Sequence, residues 1–249
     1  MKQNTTHDGL LGFVEKIIRL VPIIYVFFRS LVKYTNYFED DFYYLKKIFK
    51  NRRVNIIDVG ASDGISSKFF LNNLNVNKIF CFEPQKTFHA DLNNLKKKNS
   101  KIKIFKYGLG LKKDNQTLFV PYTSFFGKIY YLSTYTFPKK KDLLKQIKLD
   151  FLLPPKVKKI NIIIKKFKPT KDKIDLIKID TNGSEYDVII SLIKLIKKFK
   201  PVLIIENNDI RNINKFLTKY EYQKFFVYRG SLKPHVSQNS GNVIFKKKI

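Results

Sequence analysis

The sequence predicts an α/β fold with a mostly parallel sheet and helices on both faces. From residue 51 onward, short β-branched and aromatic runs alternate with helical stretches. Strands separated by helices form βαβ units, which require parallel pairing. The chain has 249 residues, which one large domain of this kind can fill. The strands are expected at Val54–Val59, Lys78–Phe82, Ile102–Tyr107, Ile174–Ile179 and Val202–Ile205.

The chain is predicted to begin with a helical segment at residues 1–50, followed by the main domain at residues 51–249. Apolar residues recur at helical spacing over Leu10–Val32, which predicts an amphipathic helix. This helix either packs on the main domain or lies on an anionic membrane surface. Its longest apolar run, Val21–Phe28, is too short to span a bilayer.

Two regions depart from the alternation of strands and helices. The stretch at about 114–170 has strand-like runs at both ends and a middle rich in Tyr, Pro and Lys, which predicts an insertion within the domain. Two further strand-like runs, Gln223–Tyr228 and Asn242–Lys246, close the chain. They are expected to form a hairpin-like pair at the sheet edge.

The composition restricts the partners and the chemistry. There are 49 Lys and Arg residues against 20 acidic ones, a net charge of +29, which attracts nucleic acid, acidic glycans or an anionic membrane. The lysines are spread along the whole chain, as an AT-rich genome would encode, so the charge is either functional or compositional. Cys81 is the only cysteine, which excludes a disulfide framework and a Cys-rich zinc site and favours a cytoplasmic location.

The strongest local signal is the segment from Asn55 to Gly64, in which an apolar strand runs through a small-residue turn into a helix. Gly60 and Gly64 let a ligand approach the backbone closely. The next strand ends at Glu83, and ligands of open α/β sheets bind outside such strand ends. A carboxylate at this position can accept hydrogen bonds from both hydroxyls of an adenosine ribose.

A dinucleotide is the competing ligand, and its fingerprint G-x-G-x-x-G fails here. Aligned on Gly60, that pattern requires glycine where Ser62 and Ile65 stand. The second glycine makes room for a pyrophosphate, which S-adenosylmethionine does not have. Asp58 suits a ligand that carries an ammonium and a sulfonium, or it caps the next helix. The turn therefore predicts S-adenosylmethionine.

Five segments carry a family resemblance and occur in this order: Asp58–Gly64, Phe82–Pro84, Tyr107–Gly110, Leu176–Glu185 and Leu203–Glu206. Together they resemble the FkbM family of methyltransferases over roughly residues 51–228. The resemblance implies a Rossmann-like, seven-strand class I methyltransferase fold, S-adenosylmethionine as methyl donor, and O-methylation of sugars or secondary metabolites. Thr181-Asn182 departs from the family's usual hydrophobic–acidic pair, and the insertion is unusually long and basic.

The resemblance also implies roles for individual residues. Asp180, at the end of the fourth strand, is the candidate catalytic base, or it binds the cofactor amine or caps the following helix. A metal is not expected, because no histidine accompanies the acids. The cofactor site is expected to include Asp58, Gly60, Ala61, Gly64, Glu83, Gly108 and Leu109. Contacts with substrate, or orientation of the loop, are expected from Asn182, Glu185, Glu206 and Asn207.

The sequence leaves three hypotheses for the function. The leading one is O-methylation of a hydroxyl on a glycan, glycolipid or secondary metabolite, at the inner membrane face if the N-terminal helix binds there. The alternatives are an RNA ribose methyltransferase and a non-catalytic basic binding module on the same fold. Methylation of adenine amines is disfavoured because the Asp/Asn-Pro-Pro-Tyr element is absent. Methylation of a pyrimidine carbon usually needs a thiolate, and Cys81 lies inside a predicted strand.

Overall fold

The computed structural model describes residues 38–132, 136–234 and 241–247, together with Pro22, Ile24, Val26 and Phe27. The chain divides into a smaller unit of residues 1–37 and 115–162 and a larger unit of residues 38–114 and 163–249. Most of the predicted helix at Leu10–Val32 lies outside the described residues. No helix of the described ranges is both long and apolar enough to cross a membrane.

Helices and strands alternate through the larger unit, while the smaller unit contains a few strands and one described helix. The elements of the larger unit are α1 (Asp40–Phe49), β1 (Val54–Val59), α2 (Ile65–Asn73), β2 (Val76–Phe82), a 3₁₀ turn (Lys86–Phe88), α3 (His89–Lys98), β3 (Ile102–Phe105), β4 (Gly108–Leu109), β8 (Leu176–Ile179), α5 (Glu185–Phe199), β9 (Val202–Glu206), α6 (Ile210–Thr218), β10 (Tyr222–Tyr228), β11 (Ser231–Lys233) and β12 (Asn242–Lys247). Between β4 and β8 come β5 (Asp114–Phe125), β6 (Lys128–Tyr131), α4 (Lys140–Asp150) and β7 (Lys156–Lys165).

The main sheet has the order β11-β10-β12-β9-β8-β1-β2-β3, with eight strands rather than the seven expected. The five strands from β3 to β9 in this order are parallel, so the prediction of a mostly parallel sheet is confirmed. The additional strand is β11, only three residues long, which pairs antiparallel with β10 at the edge. β10 and β12 pair antiparallel as expected, but β12 lies between β9 and β10, away from the edge.

The apolar side chains of the central strands divide between the two faces of the sheet. Ile56, Leu176 and Ile204 join a core with residues of α1, α2 and α3. Their neighbours Ile57 and Ile177 join the other core, which includes residues of α5 and α6. Successive side chains of a strand point to opposite faces. Helices therefore cover both faces, as the sequence predicted.

The strand order reverses at β1, which has β2 on one side and β8 on the other. The chain leaves β1 toward β2 and β3 and returns to β8 across β1. Val59 at the end of β1 pairs with Phe82 of β2 and with Ile179 of β8. The residues that follow these three strands therefore lie together at the edge formed by the carboxyl ends of the strands, where α/β sheets bind ligands.

The smaller unit is built around an antiparallel hairpin and a helix. β5 and β6 pair antiparallel, with Phe125 opposite Lys128 at the turn. Its core contains Leu132 together with Leu143 and Ile147 of α4. The last residues of β7 belong to the larger unit, where they pair with β4.

Candidate active site

The turn after β1 approaches the end of β8 so closely that only glycine fits. Gly60 has a left-handed φ of 74°. A Cβ on Gly60 would overlap the carbonyl oxygen of Asp180 and lie 2.9 Å from its carbonyl carbon. The Gly60 N–H also donates to the carbonyl of Phe82 at 3.0 Å, so the turn is held between β2 and β8.

A lysine that sequence reasoning did not single out lies beneath this turn. Lys178 is 4% exposed and donates from Nζ to the Gly60 carbonyl at 2.8 Å. Its Nζ also lies 3.4 Å from Asp58 Oδ1 and 3.3 Å from Asp180 Oδ2. Burial alone would lower the pKa of Lys178, but the two carboxylates outweigh it and raise the pKa above its usual value. The ammonium is therefore charged, and it contacts one oxygen each of Gly60, Asp58 and Asp180.

Asp58 is fully buried and supports the turn from below. Its Oδ2 accepts hydrogen bonds from the hydroxyls of Ser66 and Ser67, each at 2.7 Å. These serines lie in the first turn of α2, so one carboxylate connects β1, α2 and Lys178. The side chain exposes no surface. A direct contact of Asp58 with a cofactor stays a prediction.

Glu83 ties the end of β2 to the turn after β1. Its Oε2 accepts the Ser62 N–H at 2.8 Å, and its Oε1 accepts the Gln85 N–H at 2.7 Å. The residue is 2% exposed. Burial raises the pKa of Glu83 to about 7, and the two backbone hydrogen bonds oppose that rise. The acid therefore lies directly beside the turn with which the sequence had associated it.

The segment expected at the adenine edge lies next to Glu83. A Cβ on Gly108 would come 2.7 Å from Ile164 Cδ1 and 3.4 Å from Pro84 Cγ. Pro84 directly follows Glu83, so β4 and the tip of β2 are neighbours. The side chains of Leu109 and Ala61 are buried, at 3% and 1% exposure. Any contact that β4 makes with a ligand would therefore come mainly from its backbone.

Asp180 and Glu206 meet at the ends of β8 and β9. The side chain of Asp180 is 43% exposed, whereas Glu206 is half-buried. Burial, and then the charges of Asp180 and Glu185, raise the pKa of Glu206 to about 9. A hydrogen bond with Asp180 contributes to the same rise. At neutral pH Glu206 therefore keeps its proton.

Glu185 organises the loop between β8 and α5. It is fully buried, and its Oε1 accepts the N–H groups of Thr181 and Gly183, both at 3.0 Å. The Thr181 hydroxyl donates to the same oxygen at 3.1 Å. Asn182, within this loop, has a left-handed φ of 53°. The carboxylate thus holds the backbone that follows Asp180, in a loop that carries Asn182.

Two asparagines follow β9 and make different contacts. The Asn207 N–H donates to the Gly241 carbonyl at 3.1 Å. The Asn208 amide, which the sequence also places after this strand as a possible substrate contact, donates to Glu206 Oε2 at 2.6 Å and reaches Glu185 Oε1 at 3.5 Å. Within the described residues, no three His, Cys, Asp or Glu side chains are grouped so as to hold a metal ion.

The sequence matches the Methyltransferase FkbM domain over residues 58–224. The chain belongs to the FkbM methyltransferase family. The match covers about two thirds of the chain and begins at Asp58, the first residue of the site described above. It also includes Glu83, Asp180 and Glu206, so the FkbM domain contains the whole cluster at the sheet edge. No curated protein matches the chain.

Solved structures resemble the FkbM domain in fold. A methyltransferase FkbM from Methylobacillus flagellatus KT is 15% identical with a TM-score of 0.50, and the match covers 78% of this chain and 43% of that chain. An rRNA methylase from Streptococcus thermophilus is 9% identical, with a TM-score of 0.42 and coverages of 84% and 93%. TrmK from M. capricolum, in complex with S-adenosyl-homocysteine, is 12% identical, with a TM-score of 0.38 and coverages of 81% and 65%. The chain thus spans less than half of the M. flagellatus protein.

Replacing Gly60 with alanine is expected to reduce the free energy of unfolding more than replacing Gly127. Both glycines have similar left-handed φ angles, 74° and 71°, so both variants carry the same kind of backbone strain. Only at Gly60 does the added methyl meet backbone atoms, since nothing lies within 4 Å of a Cβ on Gly127. Overpacking adds a cost of about 1–3 kcal/mol. Urea denaturation of both variants measures the difference in the free energy of unfolding. Equal losses would contradict the close approach of the Gly60 turn to the Asp180 carbonyl.

Glu206→Gln is expected to be more stable than the wild type, by a margin that grows with pH. The pKa of Glu206 is about 9 in the folded chain against an ordinary 4.5, so ionisation is unfavourable only in the folded state. The protonated Glu206 therefore contributes its full stability to the wild type below pH 4.5, and this contribution is lost as the pH rises toward 9. The amide variant does not lose it, because glutamine does not ionise. Urea denaturation across this range measures the margin.

Glu221→Gln is the control for this comparison. Glu221 pairs with Lys200 and Lys247 at the surface, which lowers its pKa. Removing its charge should therefore not produce a stability gain that grows with pH. A margin for Glu206→Gln that stays constant from acidic to alkaline pH would contradict the protonated state assigned to Glu206.

Proposed function

We propose that this protein is an S-adenosylmethionine-dependent methyltransferase that methylates a hydroxyl group of its acceptor. Membership of the FkbM family supports the reaction class. The observation that carries the cofactor proposal is the hydrogen bond from the Ser62 N–H to Glu83 Oε2, at 2.8 Å. It joins a glycine turn and a strand-end carboxylate at the point where the strand order reverses, and α/β sheets bind their ligands there.

Several groups around the turn suit this cofactor. The Ser62 hydroxyl oxygen is buried and makes no hydrogen bond to the described part of the chain, so it has a donor and acceptor to offer a ligand. A carboxylate has about four acceptor sites, and Glu83 uses two of them on backbone N–H groups, which leaves two for a ribose diol. The Asp180 side chain at the same edge suits a ligand with an ammonium and a sulfonium.

The proposed cofactor site combines these groups with the turn backbone. Gly60, Ala61 and Gly64 would accommodate the methionine part, with Asp58 acting from below through Lys178. Glu83 and Ser62 would hold the ribose. Gly108 and Leu109, next to Pro84, would border the adenine. When bound, S-adenosylmethionine supplies a methyl group activated by the positive charge on its sulfur.

The chain's own part in the chemistry is to align the acceptor hydroxyl and take its proton. Asp180 is the carboxylate best placed for this, because its side chain is 43% exposed and is held by the Lys178 ammonium 3.3 Å away. Such a base is weak. A weak base suffices, since a hydroxyl becomes strongly acidic as its oxygen forms the new bond to carbon. Glu206 holds a proton of its own at neutral pH and orients Asp180 by a hydrogen bond.

The acceptor is proposed to be a hydroxyl of a glycan, glycolipid or secondary metabolite. The net charge of +29 favours acceptors that carry negative charge. A labelled-methyl assay on separated glycan, lipid and RNA fractions identifies the class. Label in RNA alone, with a steep dependence on salt, would favour ribose methylation instead. Label in no fraction would favour a basic binding module.

Glu83→Gln is expected to weaken binding of S-adenosylhomocysteine by about ten- to a hundred-fold, because hydrogen bonds to a charged group contribute about 1.5–3 kcal/mol. Isothermal titration measures the affinity, and thermal melting establishes that the variant is folded. Glu221→Gln is the matched control, because that carboxylate is 63% exposed and pairs with the surface lysines Lys200 and Lys247. A wild-type chain that does not bind, or a folded Glu83→Gln that binds equally well, would refute the proposed site.

Asp180→Asn is expected to lower kcat for methyl transfer by about 10²–10⁴-fold, the usual contribution of a general base. Affinity for S-adenosylhomocysteine should change little, which separates a base from a residue that binds the cofactor amine. Asp187→Asn is the control, since Asp187 lies exposed in the first turn of α5. If Asp180→Asn instead loses cofactor affinity and retains kcat at saturation, Asp180 is not the base.

A further inference from the structure

The hairpin of β5 and β6 ends in an apolar tip that nothing in the described chain covers. Residues 124–129 are all exposed. Within them, Phe126 is 93% exposed, Phe125 is 50% exposed and Ile129 is 48% exposed. The rings of Phe125 and Phe126 contact each other, with centroids 4.4 Å apart. Three large apolar side chains thus meet solvent within one turn.

The backbone conformation of this turn is unfavourable for a phenylalanine, so the stability of the fold does not explain Phe126. Phe125 pairs with Lys128, so Phe126 and Gly127 form a two-residue loop. Both have positive φ, 46° and 71°. Hairpin turns of this kind favour Asn-Gly, and a bulky side chain at positive φ is an outlier that costs about 1–3 kcal/mol. The sequence therefore places a ring where stability would favour asparagine.

The unit that carries the tip is rich in lysine. Lys128 lies in the hairpin itself, with Nζ 5.6 Å from the centroid of the Tyr130 ring. At the base of the hairpin, Lys158 Nζ donates to the Tyr131 hydroxyl at 3.2 Å. Residues 115–162, which make up most of the smaller unit, contain nine lysines and two aspartates. An apolar tip on a basic unit complements a surface that is apolar inside and negatively charged outside.

We propose that the Phe125–Ile129 tip inserts into the surface of an anionic lipid bilayer. The aromatic and aliphatic side chains enter the boundary between headgroups and acyl chains, where such side chains are stable. The lysines remain at the level of the lipid phosphates, and each contributes attraction to the negative surface. This inference does not depend on the proposed methyl transfer.

Single-stranded RNA is the other anionic partner with which exposed rings interact, by stacking on bases. The tip fits it less well. Ile129 has no aromatic face, and the two phenylalanine rings pack against each other at 61° instead of forming parallel platforms. The tip is also a projection, whereas single strands bind in a basic groove that follows their backbone.

The test compares the full-length wild type with Phe126→Asn in sedimentation with vesicles of phosphatidylcholine, with and without phosphatidylglycerol. Binding to the anionic vesicles is expected to fall by about ten-fold or more, the effect of losing one buried Phe side chain. Urea denaturation should show the variant to be at least as stable as the wild type, because Asn-Gly suits the turn. Lost binding then cannot result from unfolding.

Leu111→Asn is the matched control. Leu111 is 46% exposed and belongs to the larger unit, so this variant removes exposed apolar surface that is not part of the tip. It should bind vesicles as the wild type does. Binding of the wild type should also require phosphatidylglycerol and weaken with salt.

Four results would overturn the proposal. They are equal vesicle binding by Phe126→Asn and the wild type, binding that is the same without phosphatidylglycerol, a loss of RNA binding without a loss of vesicle binding, and self-association of the wild type that Phe126→Asn abolishes. A failure of methyl transfer would leave these measurements unaffected, so the two proposals fail separately.

Discussion

The ammonium of Lys178 is the interaction on which the candidate site depends. It lies inside the sheet between Asp58, the Gly60 carbonyl and Asp180. Without that charge, the fully buried carboxylate of Asp58 would lose the cation that balances it, which is strongly unfavourable. The same contact fixes the turn after β1 against the end of β8. The absence of a side chain on Gly60 and the charge on Lys178 therefore act together to shape the edge where we propose that the cofactor binds.

The charges of the site contrast with those of the rest of the chain. The protein carries a net charge of +29, yet Glu83, Asp180 and Glu206 gather at the carboxyl ends of β2, β8 and β9. Burial and mutual repulsion keep Glu206 protonated at neutral pH, so the three acids do not all ionise together. This separation of charge fits the two proposals made above, a cationic cofactor at the strand ends and anionic partners at the basic surface.

The sequence was sufficient to predict the layered fold and the neighbourhood of Glu83 and the Gly60 turn, because buried parallel strands and a glycine turn leave strong local patterns. β6 and α4 were not predicted, since β6 is largely exposed and α4 has only Leu143 and Ile147 among its described buried residues. The role of Lys178 depends on pairing with Asp58 across strands far apart in the sequence. The sequence offered two signals for it, a lone lysine in the apolar strand Leu176–Ile179 and its place in the family segment Leu176–Glu185, but neither indicated which groups it would contact.

The most direct test of the proposed cofactor site is a crystal structure of the full chain with S-adenosylhomocysteine. We expect the ligand over the turn from Gly60 to Gly64, with its ribose hydroxyls hydrogen-bonded to Glu83 and its sulfur facing Asp180. A ligand bound elsewhere, or a turn that stays closed over Glu83 with the ligand absent at saturating concentration, would contradict it.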